Sequence, residues 1–248
     1  MAARIALVTG GIGGIGSAIC TELAAKGFRV VAGYYPAEKE LAEQWQQKHR
    51  DEGRDFEIAS GDVASFESSQ AMVKDIEARI GPVDVLINCA GITRDKTFRK
   101  MEPDHWKAVI STNLDSLFNV TRQVVDGMVE RGWGRIVNIS SVNGQRGQFG
   151  QTNYSAAKAG AHGFSMALAQ EVARKGVTVN TVSPGYIATE MTKAIAEEVR
   201  EQIIAQVPMA RMGEPDEVAY LVGVLCDDRA SYITGANYEL NGGLFMSF

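Results

Sequence analysis

The chain has 248 residues, 45% of them hydrophobic and 22% charged, with a formal net charge of −5. That is enough sequence to bury a substantial core without disulfide staples, and the acidic balance argues against a nucleic-acid-binding surface as the molecule's main business. Cys20, Cys89 and Cys226 are widely spaced with no C-x-x-C pair, and His49, His105 and His162 form no ligand-spaced set, so no metal is expected and a reducing compartment fits.

The N-terminal MAARIALVTGG has no extended apolar segment of the secretory kind, and no apolar run reaches membrane-span length. A cytoplasmic protein without membrane contact is expected. No linker, low-complexity stretch or solenoid repeat divides the sequence, which predicts one domain over residues 1–248.

Arg4–Thr9 is a buried-strand pattern, followed at once by GGIGGIG. Two glycine templates fit: Gly11, Gly13 and Gly16 as G-x-G-x-x-G, or Gly10, Gly14 and Gly16 as G-x-x-x-G-x-G. In both, small residues permit a tight turn and aim the N–H groups of the next helix at a pyrophosphate. The candidate cradle is Gly10, Gly11, Ile12, Gly13, Gly14, Ile15 and Gly16, ahead of a helical run over Ser17–Lys26.

Phe28–Gly33 is the second strand. An acidic residue near its end favours NAD through the ribose 2′-OH, and a basic one accommodates the 2′-phosphate of NADP. Here the strand runs into Tyr34, Tyr35, Pro36 and Ala37, and the first charges are Glu38 and Lys39. Two readings stand: Tyr35 and Lys39 meet the cofactor, with Glu38 opposing a phosphate, or both charges simply open the next helix.

Ala37–Glu52 reads as that helix and Phe56–Ser60 as the third strand. In Gly61-Asp62-Val63, Asp62 is placed either to accept a hydrogen bond from an adenine amino group or to cap the helix beginning near Ser65. Val83–Asn88 is the fourth strand, and ligands bind outside the carboxyl ends of such strands, so Asn88, Ala90 and Gly91 are candidate cofactor contacts. The basic run Thr93–Lys100 is either a solvated face or the meeting point for an anionic substrate carrier. Helical periodicity over Pro103–Arg131 contains Asn113, a poor helix former that by itself reads as structural.

After the strand Arg135–Ile139 comes SVNGQRGQFGQTNYSAAK. Ser141 sits at a strand end, and Tyr154 and Lys158, four apart on the next helix, share a face. A phenol beside an ammonium is a usable acid, because the positive charge stabilises phenolate. A hydroxyl within reach holds a carbonyl oxygen while the phenol passes its proton.

The helix continues towards Lys175, and His162 on it reads as a packing residue. Val177–Val182 is a strand ending in a Pro184-Gly185 turn on the same ligand edge. A helical segment to Gln206 is a candidate lid, a helix starts at Glu214-Pro215, and Asn237–Leu240 is the last strand. The alternation predicts a Rossmann-type α/β fold, a doubly wound parallel sheet with helices on both faces.

Thr9-Gly10-x-x-x-Gly14-x-Gly16, Asn88-Cys89-Ala90-Gly91, Asn113, Ser141, Tyr154-x-x-x-Lys158 and Pro184-Gly185 together resemble the short-chain dehydrogenase/reductase family over essentially the whole chain. Cys89 stands where the family usually has Asn; the backbone there serves as well. The resemblance implies that Tyr154 is the general acid of carbonyl reduction. It implies that Lys158 lowers the Tyr154 pKa and binds the nicotinamide ribose, that Ser141 orients the carbonyl, and that Asn113 holds a water in a proton relay. Pro184, Gly185 and Ile187 border the cofactor with Tyr154 and Lys158.

Within the family, GGIGGIGSAIC, AGITRDKTFRKM, DGMVERGWGRIVNISSVNGQRGQFGQTNYSAAKAG and LNGGLFM are similar to the acetoacetyl-CoA reductases of polyhydroxyalkanoate synthesis. This implies an acyl-CoA substrate, (R)-3-hydroxybutyryl-CoA as product, a homotetramer, and an acyl pocket lined by Asp95, Gln148, Phe149, Gln151 and Tyr186. NADP(H) is the implied cofactor; NAD(H) stays open because no arginine follows the second strand. The rivals are a 3-oxoacyl-(acyl-carrier-protein) reductase and a non-catalytic nucleotide sensor on the same fold. The sensor's mark would be loss of Ser141, Tyr154 or Lys158, and all three are present.

Overall fold

The strand β1 (Ile5–Thr9) is buried along its whole length. Ala6 and Val8 join the apolar cluster on one face of a sheet, Ile5 and Leu7 the cluster on the other. A strand apolar on both sides belongs inside a parallel sheet covered on both faces. The computed structural model, which describes residues 3–193 and 197–247, completes that sheet with β2 (Arg29–Tyr34), β3 (Glu57–Ser60), β4 (Val83–Asn88), β5 (Gly134–Ile139), β6 (Val177–Pro184) and β7 (Asn237–Leu240). Every pairing is parallel, in the order β3-β2-β1-β4-β5-β6-β7.

The helices are α1 (Gly14–Ala25), α2 (Lys39–Asp51), α3 (Phe66–Arg79), α4 (Pro103–Ile110), α5 (Ser116–Arg131), α6 (Asn143–Arg146), α7 (Thr152–Val172), α8 (Glu190–Lys193), α9 (Glu197–Gln206) and α10 (Pro215–Leu225). Ile19 and Leu23 of α1 and Val218, Val222 and Leu225 of α10 cover one face of the sheet. Met72 and Ile76 of α3, Val120 and Val124 of α5, and Ala169 and Val172 of α7 cover the other. This is the doubly wound Rossmann-type architecture that the alternation predicts.

The chain winds outward through β2 and β3, then returns to the far side of β1 with β4. The loops after β1 and β4 diverge at that switch point and open a crevice at the strand carboxyl ends. Tyr154 and Lys158 lie near the start of α7, which packs against β6 and α6.

Two local outcomes differ from the sequence reading. Pro36 opens a 3₁₀ turn over Pro36–Glu38, so α2 starts only at Lys39. The helical run over 103–131 is broken by a π-turn at Ser111–Asp115. There the Ser111 hydroxyl donates to Lys107 O (2.8 Å) and Asn113 Nδ2 to Val109 O (2.9 Å). Side-chain donors occupying carbonyls of the preceding turn compete with the backbone ladder and loosen it.

Ala210 is the one non-glycine residue with positive φ (53°) among the described residues. A Cβ in the left-handed region costs about 1–2 kcal/mol, partly offset by the greater unfolded-state freedom of glycine. Ala210→Gly is therefore expected to raise the unfolding free energy by up to about 1 kcal/mol, measured by urea denaturation. A destabilised variant would contradict this account of the turn.

Candidate active site

Sterics choose between the glycine templates. Gly10 has φ +63°, and a Cβ on it would lie 2.9 Å from Ala90 Cα; a Cβ on Gly16 would lie 2.1 Å from Gly10 O. A Cβ on Gly13 meets nothing closer than 3.4 Å. Gly11 is crowded too, a Cβ on it lying 2.8 Å from Ala32 Cα, so Gly13 alone is unconstrained and Gly10-x-x-x-Gly14-x-Gly16 is the template with all three glycines enforced. Thr9 fixes the loop against its neighbour, its Oγ1 accepting from Cys89 N (3.1 Å) and Ala90 N (3.2 Å).

The N-terminus of α1 carries no side-chain cap and no acidic residue in its first turn, and Gly13 and Gly14 are exposed. Free N–H groups with no competing carboxylate suit a dinucleotide pyrophosphate. The residues present fit that group. Ile12 and Ile15 pack against the core under the loop.

Across the crevice, Lys158 is buried and donates Nζ to Ile139 O (2.8 Å). Burial lowers its pKa to about 8, opposed by the Cys89 side chain. The ammonium lies 5.6 Å from the centroid of the half-buried Tyr154 ring. The expectation that the phenol pKa is lowered is corrected here: it is pushed up to about 12, chiefly by burial. Its hydrogen bond with Ser141 pulls it down, while Asp95 and Cys89 raise it further. Desolvation disfavours phenolate more than the Ser141 hydrogen bond favours it.

Ser141 Oγ accepts from Asn143 N (3.1 Å), and its hydroxyl is hydrogen-bonded to the Tyr154 phenol. Asn113, in the π-turn, donates Nδ2 to Ile92 O and Val109 O, both at 2.9 Å, and its buried Oδ1 has no protein partner. A Cβ on Gly91 would lie 2.6 Å from that Oδ1 and 3.5 Å from Lys158 Nζ. Gly91, Asn113 and Lys158 therefore converge, and Tyr154, Ser141 and Lys158 are brought together as their spacing implies. π-turns inside helices are frequent at functional sites.

The remaining sequence candidates divide. The Asn88 side chain does not face the crevice: Nδ2 donates to Asn138 Oδ1 (2.8 Å) and Thr121 Oγ1 (3.2 Å), in a buried polar ladder that continues to Ser165 and Thr181. The physical reason is that a buried amide inside a sheet must be satisfied laterally. Ser65, not Asp62, caps α3; Asp62 Oδ1 accepts from Ala64 N (3.0 Å) in a tight turn after Gly61. Val63 O accepts from Asn119 Nδ2 (3.0 Å). Tyr35 is exposed, and Lys39 forms an exposed pair with Glu43 (3.7 Å). Pro184 O accepts from Val142 N (2.8 Å), and Gly185 N donates to Leu240 O (2.8 Å). The Ile187 side chain is in the core, so only its backbone is available.

Among the acyl-pocket candidates, Gln151 Nε2 donates to Asp95 Oδ2 (2.8 Å). Gln148 Oε1 accepts from Arg146 (3.2 Å), and Phe149 is 86% exposed. Tyr186 lines a cleft of about 770 Å³ with Val207, Met209, Tyr220 and Phe245. Sequence reasoning did not single out Thr189, whose Cγ2 lies 2.9 Å from where a Cβ on Gly14 would be, or Asn143. Thr189 follows the Pro-Gly turn, and that position was its only sequence signal.

A parallel sheet with a glycine-rich β1–α1 turn and a Ser-Tyr-Lys cluster at its carboxyl edge defines a class of nicotinamide-dependent oxidoreductases. The model of the short chain dehydrogenase family matches residues 4–200, and the chain belongs to that family. Among its relatives, the acetoacetyl-CoA reductase of Allochromatium vinosum is 63% identical over 244 residues, 98% of this chain and 99% of that one. The acetoacetyl-CoA reductase of Cupriavidus necator is 59% identical over 246 residues, 99% of this chain and 100% of that one. A 3-oxoacyl-(acyl-carrier-protein) reductase of Pseudomonas aeruginosa is 43% identical over 244 residues, 98% of each chain.

Proposed function

We propose that this protein reduces acetoacetyl-CoA to (R)-3-hydroxybutyryl-CoA with NAD(P)H, in polyhydroxybutyrate synthesis. The observation that carries this reading is full-length identity of 63% and 59% to proteins named for that reaction, against 43% to a carrier-protein reductase. The test is kcat/KM for acetoacetyl-CoA against acetoacetyl-acyl-carrier protein, each with NADPH and NADH. Preference for the CoA thioester is expected; preference for the carrier protein would move the enzyme to fatty-acid synthesis. The cofactor ratio reports whether Lys39 or Glu38 governs the adenosine ribose, and no arginine occupies residues 33–37 to force NADP.

In this reading the uncapped α1 N-terminus and Gly10–Gly16 hold the pyrophosphate, Asp62 and Val63 border the adenine, and Ala90, Gly91, Gly185 and Ile187 line the nicotinamide half. Bound nicotinamide supplies hydride. Ser141 turns its hydroxyl hydrogen from Tyr154 to the keto oxygen when substrate binds. Tyr154, protonated throughout the neutral range, passes its proton to that oxygen as charge develops there. Lys158 compensates the phenolate and binds the nicotinamide ribose. Asn113, with its unpaired buried Oδ1, holds a water that links Lys158 to solvent, and the proton Tyr154 gave up is replaced through that relay.

Asp95 raises the Tyr154 pKa, so Asp95→Asn is expected to lower it. Reduction needs the phenol protonated. The alkaline limb of kcat against pH should therefore move down. An unmoved limb would show that Asp95 does not act on the acid.

Among the described residues no helix is long and apolar enough to cross a membrane. A cytoplasmic homotetramer acting on an acyl-CoA fits this, with Trp106 and Phe118 exposed on α4 and α5 as surface for subunit contact.

A further inference from the structure

The helix α6 starts two residues after Ser141, and its first residue, Asn143, is buried (8% exposed). Asn143 makes two contacts of different kinds. Its backbone N–H donates to Ser141 Oγ (3.1 Å), and its Nδ2 donates to Gln151 Oε1 (3.0 Å). Gln151 Nε2 in turn donates to Asp95 Oδ2 (2.8 Å).

The polarity of this chain is fixed from its outer end. An ionised carboxylate only accepts, so the Gln151 amide nitrogen faces Asp95 and its oxygen faces inward. The inward oxygen requires a donor, which Asn143 Nδ2 supplies. Asn143 Oδ1 is then left buried with no partner. A half-satisfied buried amide costs stability. The bond from Nδ2 to Gln151 is the one hydrogen bond this side chain makes among the described residues.

We infer that Asn143 is a positioning residue for substrate selection: it fixes the Gln151 amide so that the second Nε2 hydrogen is presented to the thioester carbonyl of a 3-oxoacyl substrate. The inference rests on the proposed 3-oxoacyl thioester reductase reading. Such a substrate carries two acceptor oxygens. Ser141 and Tyr154 serve the keto oxygen, and the carbonyl two carbons away needs its own donor. Asp95 alone attracts the Gln151 amide but leaves it hinged. Asn143 adds the second point that locks its plane, on the same residue whose backbone N–H orients Ser141.

The test is a double-mutant cycle in the full-length enzyme with Asn143→Ala, Gln151→Ala and the pair. Asn143→Ala retains the backbone N–H, so the Ser141 contact survives. Each single variant is expected to raise KM for acetoacetyl-CoA about tenfold with kcat within a factor of about three, and the double variant to be no worse than Gln151→Ala. Multiplying effects, on the order of 100-fold in the double variant, would overturn the inference, as would a fall in kcat at unchanged KM. A merely structural role for Asn143 predicts losses independent of residue 151, and thermal unfolding of each variant identifies a folding defect. Wild-type turnover of acetoacetyl-CoA tests the function separately. If the wild type acts only on the carrier-protein thioester, the cycle is run on that substrate and still decides the role of Asn143. Turnover of neither overturns both.

Discussion

Tyr154→Phe is expected to lower kcat for acetoacetyl-CoA reduction by about 10³-fold, with little change in KM or in folding stability. The substitution removes one oxygen and keeps the ring. General acid catalysis by a positioned side chain contributes about 10²–10⁴-fold. The Ser141 hydroxyl remains as a hydrogen-bond donor, but Ser141 cannot give up its proton as readily. Lys158 cannot substitute, because its Nζ is buried and tied to Ile139 O. The phenol is held at about 12, so it is fully protonated at neutral pH, and the alkaline limb of the wild-type profile reports it. A phenylalanine variant within tenfold of wild type would place the acid elsewhere.

Lys158→Met is expected to cost activity and add stability. The ammonium sits in a desolvated position with one protein acceptor. Removing it leaves the developing phenolate uncompensated, and kcat/KM should fall about 10²–10³-fold. The stability sign follows from the shift. The folded-state pKa, about 8, lies below that of an ordinary lysine, so the unfolded chain binds the proton more tightly. The penalty is present in full below about pH 8 and is lost as pH rises towards the unfolded value near 10.4. At pH 7 the methionine variant should be more stable by on the order of 1–2 kcal/mol, net of the bond lost to Ile139 O. The gap should close between pH 8 and 10.4. Differential scanning calorimetry across that range checks it; a variant less stable at pH 7 would mean that the ammonium is not desolvated as described.

The parts of this site visible in the sequence are those written in short spacings. Tyr154 and Lys158 are one helical turn apart, Ser141 ends a strand, and the glycines directly follow β1. Strand-helix alternation carried the sheet for the same reason, since both faces of β1 and β4 are apolar. The direction of the Asn88 side chain was not legible because sequence shows that it ends a strand but not that Asn138, fifty residues on, stands beside it in the sheet. The phenol pKa went the wrong way because spacing reveals the neighbouring charge and not the burial that outweighs it. The π-turn depends on Ser111 and Asn113 reaching back to particular carbonyls, a choice between rotamers that residue identity leaves open. The Asp95–Gln151–Asn143 chain joins loops 56 residues apart, and only the return of both to one sheet edge assembles it.

The most direct test of the central claim is the initial rate of acetoacetyl-CoA-dependent NAD(P)H oxidation by the purified protein, with the product resolved on a chiral column. The account predicts rapid turnover and (R)-3-hydroxybutyryl-CoA as the sole enantiomer. Absence of turnover, or the (S) product, would contradict it.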